Sequence, residues 1–114
     1  MQVFQWAIME ADLDTVAGAE QKGTRPVLVV SNEEFNQAMP NVTVLPLTST
    51  KRQLYPAEIF LPRGKAGQPL DSIIMAHQIR TISKQRLRGL IGYLEGSQLR
   101  EEVCMAIKEH LDIE

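Results

Sequence analysis

A chain of 114 residues with 44% hydrophobic and 23% charged side chains is long enough for one core and too apolar for a disordered segment, so a single domain spanning residues 1–114 is expected. A single cysteine, Cys104, excludes an internal disulfide and a multi-cysteine zinc site; no apolar run approaches the roughly 20 residues that cross a bilayer, and the first residues lack the marks of a secretion signal, which points to the cytosol. The formal net charge of −2 hides an asymmetry: residues 22–88 carry ten Lys/Arg and four Asp/Glu, the remainder two and ten, which would set a basic face for a polyanion beside acidic ends unless the charges scatter over a solvated surface.

Pro and Gly punctuate short apolar segments, with no repeat or linker between them. Trp6–Ala11 reads as a first strand, followed by a polar loop from Asp12 to Thr24. Pro26–Val30 is brief and β-branched, the pattern of a strand buried on both faces. Ser31–Asn36 reads as one helical turn capped by Ser31 or Asn32. Val42–Leu47 is another strand, whose end Pro46 places at an edge or a bulge. Ala57–Leu61 alternates towards one wet face, Arg63–Gly67 is a turn-rich loop, and Ser72–Ala76 is a strand running on towards Arg80. Ser83–Leu87 reads as a short helical turn and Leu90–Leu94 as the last strand. After Gly96 the period changes: Leu99, Val103, Ile107 and Leu111 form one stripe of an amphipathic helix, with Ser97 as its expected N-cap. Five or six short strands and a terminal helix predict a mainly β fold, a small antiparallel barrel or twisted sheet with the helix packed on it.

The chemistry-bearing residues are few. His77 and His110 lack the spacing of a zinc helix, there is no phosphate-binding glycine loop, and no Gly-x-Ser-x-Gly elbow exists. Cys104 falls next to the apolar stripe and reads as a structural thiol. What remains are polar groups at strand ends. Arg25 precedes Pro26 and enters an apolar strand from its loop side, a costly place for a charge unless it meets an anion. Thr48-Ser49-Thr50, followed by Lys51 and Arg52, closes a second strand, and Gln78-Ile79-Arg80-Thr81 closes a third. Either these groups converge on one polar patch, or they are turn residues that satisfy their own backbone.

An ordered set of segments is similar to the MazF/PemK toxins. It comprises Asp12-Leu13-Asp14, Gly18-Ala19-Glu20-Gln21, Thr24-Arg25-Pro26-Val27-Leu28-Val29-Val30-Ser31-Asn32 and Phe35-Asn36, then Val44-Leu45-Pro46-Leu47-Thr48-Ser49, Tyr55-Pro56, Asp71-Ser72, Gln78-Ile79-Arg80-Thr81-Ile82 and Arg86-Leu87. The resemblance implies an SH3-like β-barrel with a C-terminal helix, a homodimer, and a metal- and cofactor-independent endoribonuclease that cuts single-stranded RNA and is inhibited by an antitoxin protein. It implies attack of a 2′-hydroxyl on the adjacent phosphorus, giving a 2′,3′-cyclic phosphate and a 5′-hydroxyl. Arg25 and Thr48 match the family's catalytic arginine and threonine, and Glu20 is the candidate to orient or deprotonate the 2′-hydroxyl. Gln78 and Arg80 match positions lining the RNA groove, Ser49, Lys51 and Arg52 lie in a loop that in the family often contacts RNA, and Gln21 and His77 are further candidates to bind RNA.

Three departures stand out: Gln5-Trp6-Ala7 replaces the usual Arg-Gly-Asp/Glu, Ala19 the usual serine, and His77 a carboxylate. The last substitution favours altered base selection over a new acid or base. A non-enzymatic toxin of the same fold, acting on a protein target as the CcdB gyrase inhibitors do, is the alternative. Such a binder needs neither Arg25 nor Thr48.

Overall fold

The computed structural model describes residues 2–13 and 24–114, so the expectations for Glu20 and Gln21 lie outside the described residues. The elements run β1 (Ala7–Asp12), β2 (Thr24–Val29), α1 (Glu33–Ala38), β3 (Asn41–Thr48), β4 (Glu58–Leu61), β5 (Ser72–Met75), β6 (Arg80–Ser83), β7 (Leu87–Tyr93) and α2 (Ser97–Leu111). All pairings are antiparallel, in the order β4-β5-β3-β2-β1-β7, with β6 also on β3. Among the described residues no pairing joins β7 to β4 or β6, so the sheet is open there. The mainly β class with a C-terminal helix is as the sequence predicts.

Strand β3 is the hub. One edge carries β2, from Val27↔Pro46 to Val29↔Val44; the other is divided between β6, on Asn41–Val44, and β5, on Leu47–Thr48. The strand expected to run from Ser72 towards Arg80 therefore breaks in two. A 3-10 turn, Ala76–Gln78, carries the chain from one part of β3 to the next, with the Ile79 N–H closing on the Ala76 carbonyl at 3.2 Å. Both sheet faces are covered, as β-branched runs require. Ile8, Leu28, Leu45 and Leu47 pack with Ile74, Leu94 and Val103 on one side; Ala7, Met9, Val27, Val29, Val42, Val44 and Ile82 pack on the other.

The helices tie the ends down. Asn32 caps α1, its side chain accepting the Phe35 N–H at 2.8 Å. Glu33 accepts the Phe4 and Gln5 N–H groups; burial acts to raise its carboxyl, but hydrogen bonds, foremost from Gln37, hold it below the ordinary range. For α2 the N-cap is Gly96 rather than Ser97, because the positive φ of 98° at Gly96 turns the chain directly out of β7. Val103 and Ala106 are buried and Leu99 and Ile107 partly so, but Leu111 ends the stripe half exposed. Cys104, one position round the helix from Val103, is exposed rather than packed.

Candidate active site

Strand parity decides which side chains share the site. Arg25 projects to the same side of β2 as Val27 and Val29, and Thr48 to the same side of β3 as Val42 and Val44. Val27 pairs with Pro46, and continuing that register past its last pair brings Arg25 alongside Thr48. Both side chains emerge where the apolar cluster ends, and they line one cleft of about 430 Å³ with Ser49, Thr50, Gln68 and Leu70.

Arg25 is half-buried and makes no hydrogen bond or ion pair with any described residue. Other guanidinium groups are engaged: Arg52 with Glu58, Arg88 with Asp12 and Arg100 with the Leu94 carbonyl. A half-buried cation is poorly solvated, so Arg25 favours an anion entering the cleft. The Thr48 hydroxyl is oriented by Thr50: it accepts the Thr50 N–H at 3.3 Å and donates to the Thr50 hydroxyl at 3.2 Å. That second bond is long enough to be exchanged for a ligand oxygen.

The opposite wall was not legible as part of the site. It is the loop between β4 and β5, fixed from inside by Gln68, which is 1% exposed. The Gln68 amide donates to the carbonyls of Leu61 and Pro62, at 3.2 and 2.7 Å, and accepts the Ala66 N–H at 3.0 Å. The signal available in the sequence was a glutamine between glycine and proline in a turn-rich segment, where a buried amide holds the loop's backbone groups.

Of the residues expected in the RNA groove, Ser49 lies in the cleft and Lys51 in adjoining hollows. Arg52 and His77 turn towards a different partner. The Glu58 side chain, inaccessible to solvent, takes two bonds from Arg52, at 2.8 and 2.9 Å, one from His77 Nε2 at 2.7 Å and one from the Tyr55 N–H at 2.8 Å. The Arg52 guanidinium lies 4.3 Å from the Tyr55 ring centre, and the His77 ring meets His110 of α2 edge-on at 6.4 Å. This hub ties the 49–57 loop, β4, the 3-10 turn and α2 together. Arg52 thus reaches the hollow beside the cleft with its charge already paired, and His77 does not line the cleft that holds Arg25 and Thr48.

The Arg52 bonds, against opposing burial, hold the Glu58 carboxyl down at about 2 from an ordinary 4.5. A carboxyl depressed in the folded state contributes stability that is complete above pH 4.5 and is lost as pH falls through about 2. Wild-type protein should therefore lose roughly 1–3 kcal/mol of unfolding free energy across that interval from this group. Glu58→Gln should lack that acid component and be less stable at pH 7, as urea unfolding over a pH series would measure.

Gln78 and Arg80 stand apart from the cleft. Arg80 pairs with Val44, on the same face as Thr48 but four residues away along β3, roughly 13 Å. The three strand ends do not meet at one point, because β5 rather than β6 lies beside Thr48. Among the described residues no group of three or more His, Cys, Asp or Glu is placed to hold a metal ion, and no helix is long and apolar enough to cross a membrane.

Comparison with known proteins places the chain among relatives along nearly its whole length. The model of the family described as PemK-like, MazF-like toxin of type II toxin–antitoxin system matches residues 4–111. Endoribonuclease MazF9 of Mycobacterium tuberculosis is 34% identical over 111 residues, 93% of each chain. The solved structure of Mycobacterium tuberculosis toxin MazF-mt6 superposes with a TM-score of 0.78 at 30% identity, covering 95% of this chain and 98% of that one. An endoribonuclease solved in complex with its cognate antitoxin, from a mycobacterial species, shares the fold with a TM-score of 0.77 at 22% identity, covering 97% and 96%.

Proposed function

The chain belongs to the PemK-like, MazF-like toxins of type II toxin–antitoxin systems, and from that premise we propose that it is a toxin endoribonuclease that cuts single-stranded RNA between Arg25 and Thr48. The observation that supports this most is the shared cleft: an arginine without a partner among the described residues faces a threonine hydroxyl held by one long, exchangeable bond.

In the proposed reaction the 2′-oxygen forms a bond to the adjacent phosphorus while the bond from phosphorus to the 5′-oxygen breaks. The products are a 2′,3′-cyclic phosphate and a 5′-hydroxyl. Negative charge gathers on the equatorial oxygens, where the Arg25 fork donates two N–H groups and the Thr48 hydroxyl one more. A guanidinium stays protonated in proteins, so Arg25 is not the base. Glu20, by its match to the family glutamate, takes the proton of the 2′-hydroxyl, and solvent water supplies the proton that the departing 5′-oxygen takes up. Because the nucleophile belongs to the substrate, the scheme requires no metal-bound water. The RNA continues along β3 towards Gln78 and Arg80, and an antitoxin inhibits by filling this path. The toxin acts in the cytosol as a homodimer, for which exposed Leu90 on β7 and Met105 on α2 offer apolar surface.

Incubation with single-stranded RNA in EDTA, followed by end mapping, tests the proposal. Discrete fragments with cyclic-phosphate and 5′-hydroxyl ends are expected; intact RNA or 5′-phosphate ends would refute it. Lys51 and Arg52 should also separate. Lys51→Ala should weaken RNA binding and reduce the salt slope by about one. Arg52→Ala should act chiefly by lowering thermal stability, because it strips Glu58 of its partner. Equal salt-dependent losses in both would contradict the pairing.

A further inference from the structure

Thr48 pairs with Ile73 on β5, and Ile73 pairs with Phe60 on β4. The three side chains form one row on one face of the sheet, which sets Phe60 two strand spacings, about 10 Å, from Thr48. Phe60 is 48% exposed, whereas its neighbours Ile59 and Leu61 are buried. On this edge strand a polar or charged residue would suit a water-facing position, and the aromatic ring instead leaves a flat stacking face open to solvent. The ring borders a hollow of about 250 Å³ with Lys51 and Asp71, joined to the Arg25–Thr48 cleft through Ser49, Thr50 and Ser72. Asp71 Oδ1 accepts the Arg63 N–H at 2.7 Å, which fixes the carboxylate, and Oδ2 has no partner among the described residues.

We propose that this hollow reads one nucleobase beside the cut phosphate, an inference that rests on the ribonuclease reading of the cleft. Its size is that of a single planar ring rather than of a drug-sized ligand. The base stacks on Phe60, Lys51 meets a neighbouring phosphate, and the free Asp71 oxygen accepts an N–H from the base edge. Guanine, adenine and cytosine each present an exocyclic amino group to such an acceptor. Uracil presents one N–H between two carbonyl oxygens, which face the carboxylate unfavourably. The hollow therefore selects a base with an amino group and rejects uracil.

The test is cleavage of a randomised single-stranded RNA pool by the wild type, Asp71→Asn and Phe60→Ala, with sequencing of the cut ends. The wild type should disfavour uracil at one position within two nucleotides of the cut. Asp71→Asn should lose that discrimination at that position alone, while Phe60→Ala should lower kcat/KM by about 5- to 100-fold with an unchanged melting temperature. Active variants with the wild-type base preference and wild-type kcat/KM would overturn the subsite and leave the ribonuclease reading standing. A wild-type protein that cuts no RNA would overturn the ribonuclease reading itself.

Discussion

Arg25→Ala should lower RNA cleavage by about 10²–10³ and leave the melting temperature unchanged. That is the loss expected when a preorganised donor to a developing oxyanion is removed. The fold should tolerate the change because Arg25 has no hydrogen bond or ion pair with a described residue. Arg25→Lys keeps the charge but loses the fork that spans two phosphoryl oxygens, and should recover only part of the rate. A full rate in Arg25→Ala would remove this side chain from the mechanism.

Gly92→Ala has the largest expected effect on stability. A Cβ at Gly92 would lie 2.2 Å from the Ala66 carbonyl oxygen and 3.3 Å from the Gly67 Cα, both backbone atoms of the loop that walls the cleft. The loop cannot yield easily, because buried Gln68 holds it from inside. A loss of about 3 kcal/mol or more is expected, a fall in melting temperature of over 10 °C for a domain of this size. Gly89→Ala, three residues along β7, is the control: a Cβ there meets nothing within 4 Å, and stability should stay within about 0.5 kcal/mol. Equal behaviour of the two variants would mean that β7 does not buttress the loop.

Much of this architecture was legible because apolar periodicity reports burial directly. The runs at Val27–Val29 and Val42–Leu47 are buried on both faces, and the four-residue stripe marks α2. The break at Ala76–Gln78 was not legible. Ile73 and Ile82 are alike in hydropathy, and only pairing with different parts of β3 separates their strands. The same limit governs the site. Arg25 and Thr48 could be singled out as polar groups at the ends of apolar strands, but the company they keep depends on register. The sequence offers Arg52 to RNA and hides its ion pair, because Glu58, six residues away, has no sequence feature announcing a buried carboxylate. The parts played by Gln68 and Asp71 are hidden for the same reason, since loop residues show their surroundings only when the loop is folded against β5 and β7.

The central claim is that Arg25 and Thr48 hold the same scissile phosphate. The most direct measurement is a crystal structure with a single-stranded RNA substrate whose attacking 2′-hydroxyl is methylated, so that it binds without being cut. The phosphate beside the modified sugar should lie within hydrogen-bond reach of both the Arg25 guanidinium and the Thr48 hydroxyl, which would have released Thr50. A phosphate seated elsewhere on the surface, with Arg25 still facing solvent, would contradict the account.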